Sequence, residues 1–327
     1  QVDGLNLRDY QIDAVQSVMD NGRGVLALAT NSGKTAVAAS LIRTICQPTL
    51  YLVHRKELMY QTADVFKERI PEIECAIYGD GNSDLNPDAN VVIGMVQSLY
   101  SLLSNDPQIF HSLFGSRECL IIDECHHTRA STYHKIATKC GAYYRIGLSG
   151  TPEGRDEGSF LRLVGHTGDI LSRVRNEELI ESGISAKPKI FIHDEITSDK
   201  IPFDTWQDLY EQGIVQNEKR NIIIEQIAKV AMDNCEPVVI FVNRIDHGRI
   251  LADRLKQSGY SSTFLTGKTD SLFRNAARKK FQQHKIPILI ATCIFDEGID
   301  LPAIKVAILA SGGKSNIVLL QRIGRAL

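Results

Sequence analysis

Residues 24–35 of the chain read GVLALATNSGKT. The first six residues are aliphatic or small, as in a buried β-strand, and the last six join turn-forming residues to the start of a helical pattern. A helix N-terminus presents unpaired backbone N–H groups and a positive dipole end, which together bind phosphate. This strand-loop-helix stretch therefore predicts an α/β domain that binds a phosphate group where the strand ends.

The loop matches the phosphate-loop pattern GxxxxGK[ST] in part, because Leu28 occupies the first glycine position. Lys34 is predicted to bring its positive charge to the β- and γ-phosphates of ATP, and the Thr35 hydroxyl is predicted to ligate Mg²⁺. A chance Gly-Lys-Thr at a helix start is the alternative interpretation. The predicted nucleotide-binding residues of the loop are Asn31, Ser32, Gly33, Lys34 and Thr35.

An acidic motif follows a second buried-strand pattern at residues 119–127, which read CLIIDECHH. Carboxylates at the C-terminal end of a parallel strand lie in the crevice where α/β proteins bind ligands. Asp123 is predicted to hold Mg²⁺ and Glu124 to orient or deprotonate an attacking water, because phosphoryl transfer depends on positioning and charge stabilisation. An acidic helix cap would explain Asp-Glu alone, but the phosphate loop upstream favours the catalytic interpretation.

Short aliphatic runs alternate with longer amphipathic stretches along the chain. Apolar strands separated by helices are typical of parallel sheets covered on both faces. A polar stretch between Gly183 and Pro188 favours a boundary, so we predict two α/β domains, residues 1–182 and 183–327. The predicted strands are residues 24–29, 49–53, 90–94, 119–122, 144–148, 189–193, 238–242, 262–265, 288–291 and 306–310, and the predicted helices are residues 35–46, 56–69, 221–233 and 247–258.

Composition sets broad limits on function. The chain has 327 residues, 43% of them hydrophobic, and a net charge of −2, which gives no overall support to nucleic-acid binding. No apolar run reaches the roughly 18 residues of a membrane helix, and the N-terminus lacks signal-peptide features. The seven cysteines show no metal-ligand spacing. We therefore expect an intracellular, cytoplasmic protein of a prokaryote or a phage-infected cell, without structural zinc and without a membrane partner.

Further short motifs accompany the phosphate loop and the acidic motif in a fixed order. Together they resemble the motifs of superfamily 2 DExH helicases over nearly the whole chain, and most of all those of XPB-like and phage UvsW-type DNA branch-migration helicases. The motifs are LRDYQ at residues 7–11, VHRKEL at 53–58, GMVQSL at 94–99, DECH at 123–126, GLSGTPEGR at 147–155, IFVNR at 240–244, LTGK at 265–268, AT at 291–292, FDEGIDLP at 295–302 and QRIGR at 321–325.

The resemblance implies a two-domain motor. Its fold would be two tandem RecA-like domains, each a parallel sheet flanked by helices, with the ATP site in the interdomain cleft. Arg322 and Arg325 would act on the γ-phosphate as catalytic residues beside Lys34, Asp123 and Glu124, because a guanidinium there stabilises transition-state charge. The last family motif usually continues to another arginine, so we expect a segment that completes the second domain to be absent from this sequence.

The resemblance also assigns nucleotide and coupling roles. Gln11 could pair with the N6 and N7 edge of adenine through its amide. The further nucleotide-binding candidates are Arg8, Gln11, Glu297, Gly298 and Asp300, and the residues expected to couple ATP to strand movement are His126, Ser149, Thr151 and Gln321.

Strand contacts in this family fall mostly on phosphates, which a motor that moves along arbitrary sequence requires. Each candidate could equally be a loop residue with local hydrogen bonds. The candidates are His54, Arg55, Gln97, Ser98, Asn243, Arg244, Gly267, Lys268 and Thr292.

The leading hypothesis is an ATP-dependent DNA helicase or translocase that unwinds or branch-migrates forked and Holliday-type DNA. DNA, forked, branched or single-stranded, is therefore the expected partner, with RNA as the alternative. Two other interpretations stay open: an RNA-directed DExH ATPase, and an ATP-driven motor or switch subunit of a larger nuclease complex that has no unwinding activity of its own.

Overall fold

The structure is a computed structural model that describes residues 6–82, 86, 88–127, 131–153, 157–193, 205–292 and 304–311. Contacts between residues divide the chain into two units, Gln1–Ser185 and Ala186–Leu327. The sequence predicts the boundary between residues 182 and 183. None of the helices within the described ranges has the length and apolarity needed to cross a bilayer.

A seven-stranded sheet forms the centre of the first unit. All its neighbouring strands run parallel, in the order β3-β4-β2-β5-β6-β1-β7. Because parallel strands end on the same side, one edge of the sheet, the C-terminal edge, collects the loops that follow them. The strands are β1 (Arg23–Leu28), β2 (Thr49–Val53), β3 (Cys75–Tyr78), β4 (Val91–Met95), β5 (Cys119–Asp123), β6 (Tyr144–Ser149) and β7 (Ile170–Val174).

Helices cover both faces of this sheet because side chains of a strand alternate between its faces. In β2, Tyr51 and Val53 pack into one buried cluster, and Leu50 and Leu52 pack into another. The first cluster is completed by α1, α2, α3 and α8, and the second by α4 to α7. The helices are α1 (Asp9–Asn21), α2 (Lys34–Ile45), α3 (Lys56–Arg69), α4 (Val96–Asn105), α5 (Pro107–Phe114), α6 (Ser131–Lys139), α7 (Glu157–Thr167) and α8 (Asn176–Glu181), with a 3₁₀ turn at Cys125–His127.

The second unit contains a four-stranded parallel sheet in the order β11-β8-β10-β9. Its faces are covered in the same way, by α10 and α11 on one side and by α12 on the other. The strands are β8 (Val238–Phe241), β9 (Ser262–Leu265), β10 (Ile288–Ala291) and β11 (Val306–Leu309), and the helices are α9 (Trp206–Tyr210), α10 (Glu218–Asp233), α11 (Ile245–Gln257) and α12 (Ser271–Gln282), with a π-helical turn at Glu211–Val215.

The predicted fold class, two parallel α/β sheets flanked by helices, is confirmed. One predicted strand is wrong: residues 189–193 form no strand in the described chain, and Phe191 is 80% exposed. The apolar run of residues 190–192 suits a strand, but strand formation also requires a neighbouring strand. Two edge strands were not predicted: β3 has only four residues, all half-buried, and β7 includes the polar residues Ser172 and Arg173.

Candidate functional site

The loop between β1 and α2 depends on two residues in the left-handed backbone region. Asn31 has φ 66° and Gly33 has φ 78°. Asparagine tolerates this region better than most residues, but at Gly33 a side chain is also excluded by space, since a Cβ would lie 2.5 Å from Gln11 Nε2. Helix α2 then begins at Lys34. The loop therefore delivers the free N–H groups of a helix N-terminus to the C-terminal edge of β1.

The start of α1 clamps this loop. Gln11 is buried; its Oε1 accepts from the Arg8 amide at 2.9 Å, and its Nε2 donates to the Ser32 carbonyl at 2.7 Å. The Tyr10 hydroxyl donates to the same carbonyl at 2.9 Å and accepts from Arg8 Nη1 at 3.1 Å. In this structure Gln11 thus bonds the loop through Nε2 and the start of α1 through Oε1, and its pairing with adenine stays a prediction. The role of Tyr10 was not predicted.

The acidic motif lies two strands away, at the end of β5. Asp123 is buried, and its carboxylate accepts hydrogen bonds from the Glu124 amide at 2.9 Å and from the Tyr51 hydroxyl of β2. Burial and, after it, the charge of Glu124 raise the pKa of Asp123, while Lys34 opposes this shift. Burial and Asp123 also raise the pKa of Tyr51. A buried carboxylate with so little compensating charge favours a bound cation.

A run of contacts, here called the polar chain, joins the loop to the GLSGTP motif. Lys34 Nζ lies 3.8 Å from Glu124 Oε1, and Glu124 Oε2 lies 3.4 Å from His126 Nδ1. His126 Nδ1 is hydrogen-bonded to Ser149 Oγ at 2.9 Å, and Ser149 Oγ accepts from the Thr151 amide at 3.1 Å. Three neighbouring strands, β1, β6 and β5, position these groups. The structure therefore brings the predicted catalytic and coupling side chains of the first unit together.

The GLSGTP motif lies beside the end of β1. Its first residues belong to β6, which pairs with β1, and Ser149 is the register partner of Ala27. A Cβ built on Gly150 would lie 3.4 Å from the Leu28 carbonyl oxygen and 3.8 Å from Ala29 Cα, so the space between Gly150 and the end of β1 would accept a methyl group. The residues that follow β6 are therefore close neighbours of the start of the phosphate loop.

The donors at this edge fit a nucleotide with Mg²⁺. Ser32 Oγ is buried, and no hydrogen-bond partner for it lies in the described part of the chain. Thr35, in the first turn of α2, and Asp123 offer the hard oxygen ligands that Mg²⁺ prefers. The space that a side chain at Gly33 would take is filled by the Gln11 amide.

The predicted strand contacts of the first unit lie farther along the same edge. His54 and Arg55 connect β2 to α3, and Gln97 and Ser98 lie in the first turn of α4, directly after β4. Since β2 and β4 are parallel neighbours, these four residues lie at the same C-terminal edge of the sheet. Their contact with a nucleic-acid strand stays a prediction.

The predicted strand contacts of the second unit share an edge too. The last residues of β8, β10 and β9 are aligned, so the loops that follow them start at the same level of the sheet. Arg244 lies 5.7 Å from the ring centre of Tyr210 in a cation–π arrangement, and Thr292 donates its amide to the Leu265 carbonyl at 3.2 Å. The residues gathered at this edge are Asn243, Arg244, Gly267, Lys268 and Thr292.

Several predicted residues of the last two motifs lie outside the described part of the chain. They are Glu297, Gly298, Asp300, Gln321, Arg322 and Arg325.

Two family profiles match the sequence. The family described as type III restriction enzyme, res subunit, matches residues 4–154, and the helicase conserved C-terminal domain matches residues 218–327. The chain is 28% identical to the DNA 3'-5' translocase XPB2 of Sulfurisphaera tokodaii, over 99% of this chain and 79% of that protein. It is 29% identical to the ATP-dependent DNA helicase uvsW of Enterobacteria phage T4, over 97% of this chain and 64% of that protein.

Across eight curated relatives, the chain spans from 49% to 79% of the relative's length. Among solved structures, Saccharomyces cerevisiae Dbp5 bound to RNA and ADP BeF3 matches with a TM-score of 0.69 and 16% identity, over 98% of this chain and 80% of that chain. At this identity the likeness concerns the fold, which is RecA-like in each unit. The ordered motifs, the two family profiles and the XPB and uvsW relatives together make the chain similar to superfamily 2 helicases over nearly its whole length.

Proposed function

We propose that this chain is the ATP-hydrolysing motor of a DNA helicase or translocase that unwinds or branch-migrates forked and Holliday-type DNA. The polar chain from Lys34 to Thr151 is the observation that carries the proposal. It connects a phosphate-binding loop, a pair of carboxylates and a motif that lies beside the start of the loop. Such an arrangement suits hydrolysis whose progress is transmitted to neighbouring loops.

Within this proposal, each residue at the edge has a role in phosphoryl transfer. Lys34 neutralises charge on the β- and γ-phosphates, and Thr35 and Asp123 hold the metal. When bound, Mg²⁺ supplies further neutralisation of the charge that develops on the phosphate oxygens. Glu124 orients the attacking water and accepts its proton, and Lys34 Nζ lies 3.8 Å from its carboxylate.

Transmission starts at the same carboxylate. Glu124 and Ser149 both lie within contact distance of His126 Nδ1, at 3.4 Å and 2.9 Å. When Glu124 gains or loses a proton, the favoured tautomer or charge of His126 changes, and with it the hydrogen bond to Ser149. The hydrogen bonds among His126, Ser149 and Thr151 would thereby change with the state of ATP, and the change would be passed to the neighbouring loops. Gln321 is proposed to act with these residues.

The remaining nucleotide contacts are proposed from motif position alone. Arg322 and Arg325 are proposed to stabilise transition-state charge, an effect worth about 10³- to 10⁵-fold in rate for arginine fingers. Arg8, Glu297, Gly298 and Asp300 are proposed as further nucleotide contacts. The choice of DNA over RNA is supported by the names of the XPB and uvsW relatives.

The proposal is tested by ATPase and unwinding assays on the chain with no nucleic acid, single-stranded DNA, forked DNA and RNA. We expect stimulation by DNA, greatest with branched DNA. Lys34→Ala should lower kcat by at least about 100-fold, the scale of losing one preorganised charge-stabilising donor, while salt-sensitive strand binding persists. Lys67→Ala, at an exposed position in the last turn of α3, is the matched control.

The outcomes separate the alternatives. Stimulation by RNA alone would contradict the DNA assignment and favour an RNA-directed ATPase. Hydrolysis that no nucleic acid stimulates would favour a motor or switch subunit of a larger complex. Normal turnover by Lys34→Ala would contradict the assignment of the site itself.

A further inference from the structure

Tyr60 lies on α3 beside the predicted strand contacts but belongs to none of the motifs. His54 and Arg55 connect the end of β2 to the start of α3, and Tyr60 lies in the second turn of that helix. Across the sheet, β3 ends at Tyr78 and is followed by a turn of residues 79–82 at the same C-terminal edge. The turn packs against the start of α4, since a Cβ on Gly79 would lie 3.2 Å from Ser98 Oγ.

Two hydrogen bonds fix the hydroxyl of Tyr60 to this turn. It donates to Asp80 Oδ2 at 3.2 Å and accepts from Asn82 Nδ2 at 3.1 Å. Lys56 Nζ, one helical turn before Tyr60, lies 3.5 Å from the other oxygen of Asp80. The turn therefore holds the hydroxyl of Tyr60, and α3 holds its backbone.

The turn itself is closed and unusual. The Gly79 amide donates to the Asn82 carbonyl at 2.9 Å, and the Asn82 amide returns the bond at 3.0 Å. Asp80 has φ 53°, a left-handed conformation that costs a non-glycine residue energy unless its surroundings maintain it. Tyr60 and Lys56 supply such contacts. A strained residue is thus maintained by a tyrosine that remains 40% exposed.

We propose that Tyr60 is a stacking platform for an unpaired base of the strand that lies along this edge. The inference rests on the proposed function and adds to it a contact with a base rather than with a phosphate. An aromatic ring stacks on any base, so the contact is compatible with movement along arbitrary sequence. The two hydrogen bonds hold the ring in place before the strand arrives, which lowers the entropy cost of binding. Arg55 and Lys56 stand at the start of the same helix, where positive charge suits the adjoining phosphates.

The test compares two fluorescent probes, an oligothymidylate and an abasic strand with the same sugar-phosphate backbone, by anisotropy at fixed salt. Tyr60→Leu should weaken oligothymidylate binding about 5- to 150-fold, the range for loss of one stacked base, and leave abasic-strand binding unchanged. Tyr60→Phe keeps the ring and loses both hydrogen bonds, so it should retain most of the oligothymidylate affinity. Tyr143→Leu, at a 59% exposed tyrosine just before β6 on the opposite edge, should alter neither probe.

Equal weakening of both probes by Tyr60→Leu would overturn the inference and assign Tyr60 to maintaining the turn; the proposed function would still stand. An unchanged affinity of Tyr60→Leu for both probes would likewise overturn the inference alone. Failure of the unsubstituted chain to bind either probe would overturn the proposed function, and the inference with it.

Discussion

The two units present the same kind of edge with different contents. At the C-terminal edge of the first sheet, ionisable groups are in mutual contact and largely withdrawn from water: His126 is buried, and Lys34 and Glu124 are partly buried. At the corresponding edge of the second sheet, the described residues of the loops after β8, β9 and β10 include neutral groups with local hydrogen bonds, such as Thr266 Oγ1, which accepts from the Lys268 amide at 3.2 Å. A buried titratable side chain of the second unit, His247, lies instead between α10 and α11.

This difference separates chemistry from binding. Charges that are kept out of water interact strongly and have shifted pKa values, which proton and phosphoryl transfer use. A phosphate backbone that must be released at every step needs weaker, sequence-independent contacts from amides, hydroxyls and exposed cations. The first edge therefore suits hydrolysis along β1, β5 and β6, and the second suits a strand that moves. Burial, more than residue type, distinguishes them.

The largest effect expected from this difference between the two edges is that of the substitution Glu124→Gln. Loss of the proposed base should lower kcat of ATP hydrolysis by about 10²- to 10⁴-fold, the usual contribution of general base catalysis, with ATP binding retained because the amide keeps the shape of the side chain. Steady-state ATPase rates and nucleotide affinity are the measurements. Glu118→Gln, at an exposed residue just before β5 on the opposite edge, is the control. Turnover within a few-fold of normal would remove Glu124 from the chemistry and with it the distinction between the edges.

His247 gives the next largest expected effect, and on stability instead of rate. His247 Nε2 is hydrogen-bonded to Asn221 Oδ1 at 2.9 Å, and burial, with a smaller effect of Arg220, lowers the pKa of His247 to about 4. The unfolded chain therefore binds a proton that the folded chain excludes between about pH 6.5 and pH 4. The free energy of unfolding should have its full value above about pH 6.5. Protonation of this group alone should lower it by about 2 kcal/mol between pH 7 and pH 5.

Urea unfolding of the chain at pH 7 and pH 5 measures this loss. His247→Gln, which has no titrating group, should show a smaller difference between the two pH values than the unsubstituted chain. His193→Gln, at an exposed position of the same unit, should retain the full difference. An unchanged pH dependence in His247→Gln would show that the buried histidine of the second unit does not control its acid stability.

The strands that could be predicted from sequence are those with continuous aliphatic runs, because full burial on both faces leaves a clear pattern. Strand β5 and the acidic pair after it were therefore predictable together. The edge strands β3 and β7 were not, since half-buried positions tolerate polar residues such as Ser172 and Arg173. Residues 189–193 are the opposite case, a strand that was predicted and is not observed. Their apolar run suits a strand, but no neighbouring strand pairs with them in the described chain.

The site shows the same division. Lys34, Asp123 and Glu124 were predictable because the chemistry of phosphate and metal dictates those residue types next to strand ends. Tyr51 and Tyr10 were not, although one hydrogen-bonds Asp123 and the other the phosphate loop. Their roles depend on which strands and helices become neighbours in space. A tyrosine in a buried strand is interpreted as core until the adjacent strand is known to end in a carboxylate.

The smallest predicted effect concerns two glycines at the first edge that the family pattern treats differently. Gly33 needs its positive φ and has no room for a Cβ. Gly150, where related motifs usually have alanine, has no positive φ, and a Cβ added there would lie no closer than 3.4 Å to its neighbours. Gly150→Ala should therefore stabilise the chain by about 0.4–1 kcal/mol, because it restricts the unfolded state without straining the folded one. Thermal unfolding and ATPase rates of Gly150→Ala and Gly33→Ala, measured side by side, check this. Destabilisation by Gly150→Ala would mean that the space between the GLSGTP motif and the phosphate loop is tighter than the distances indicate, and that small shifts of the loop are transmitted to β6 directly.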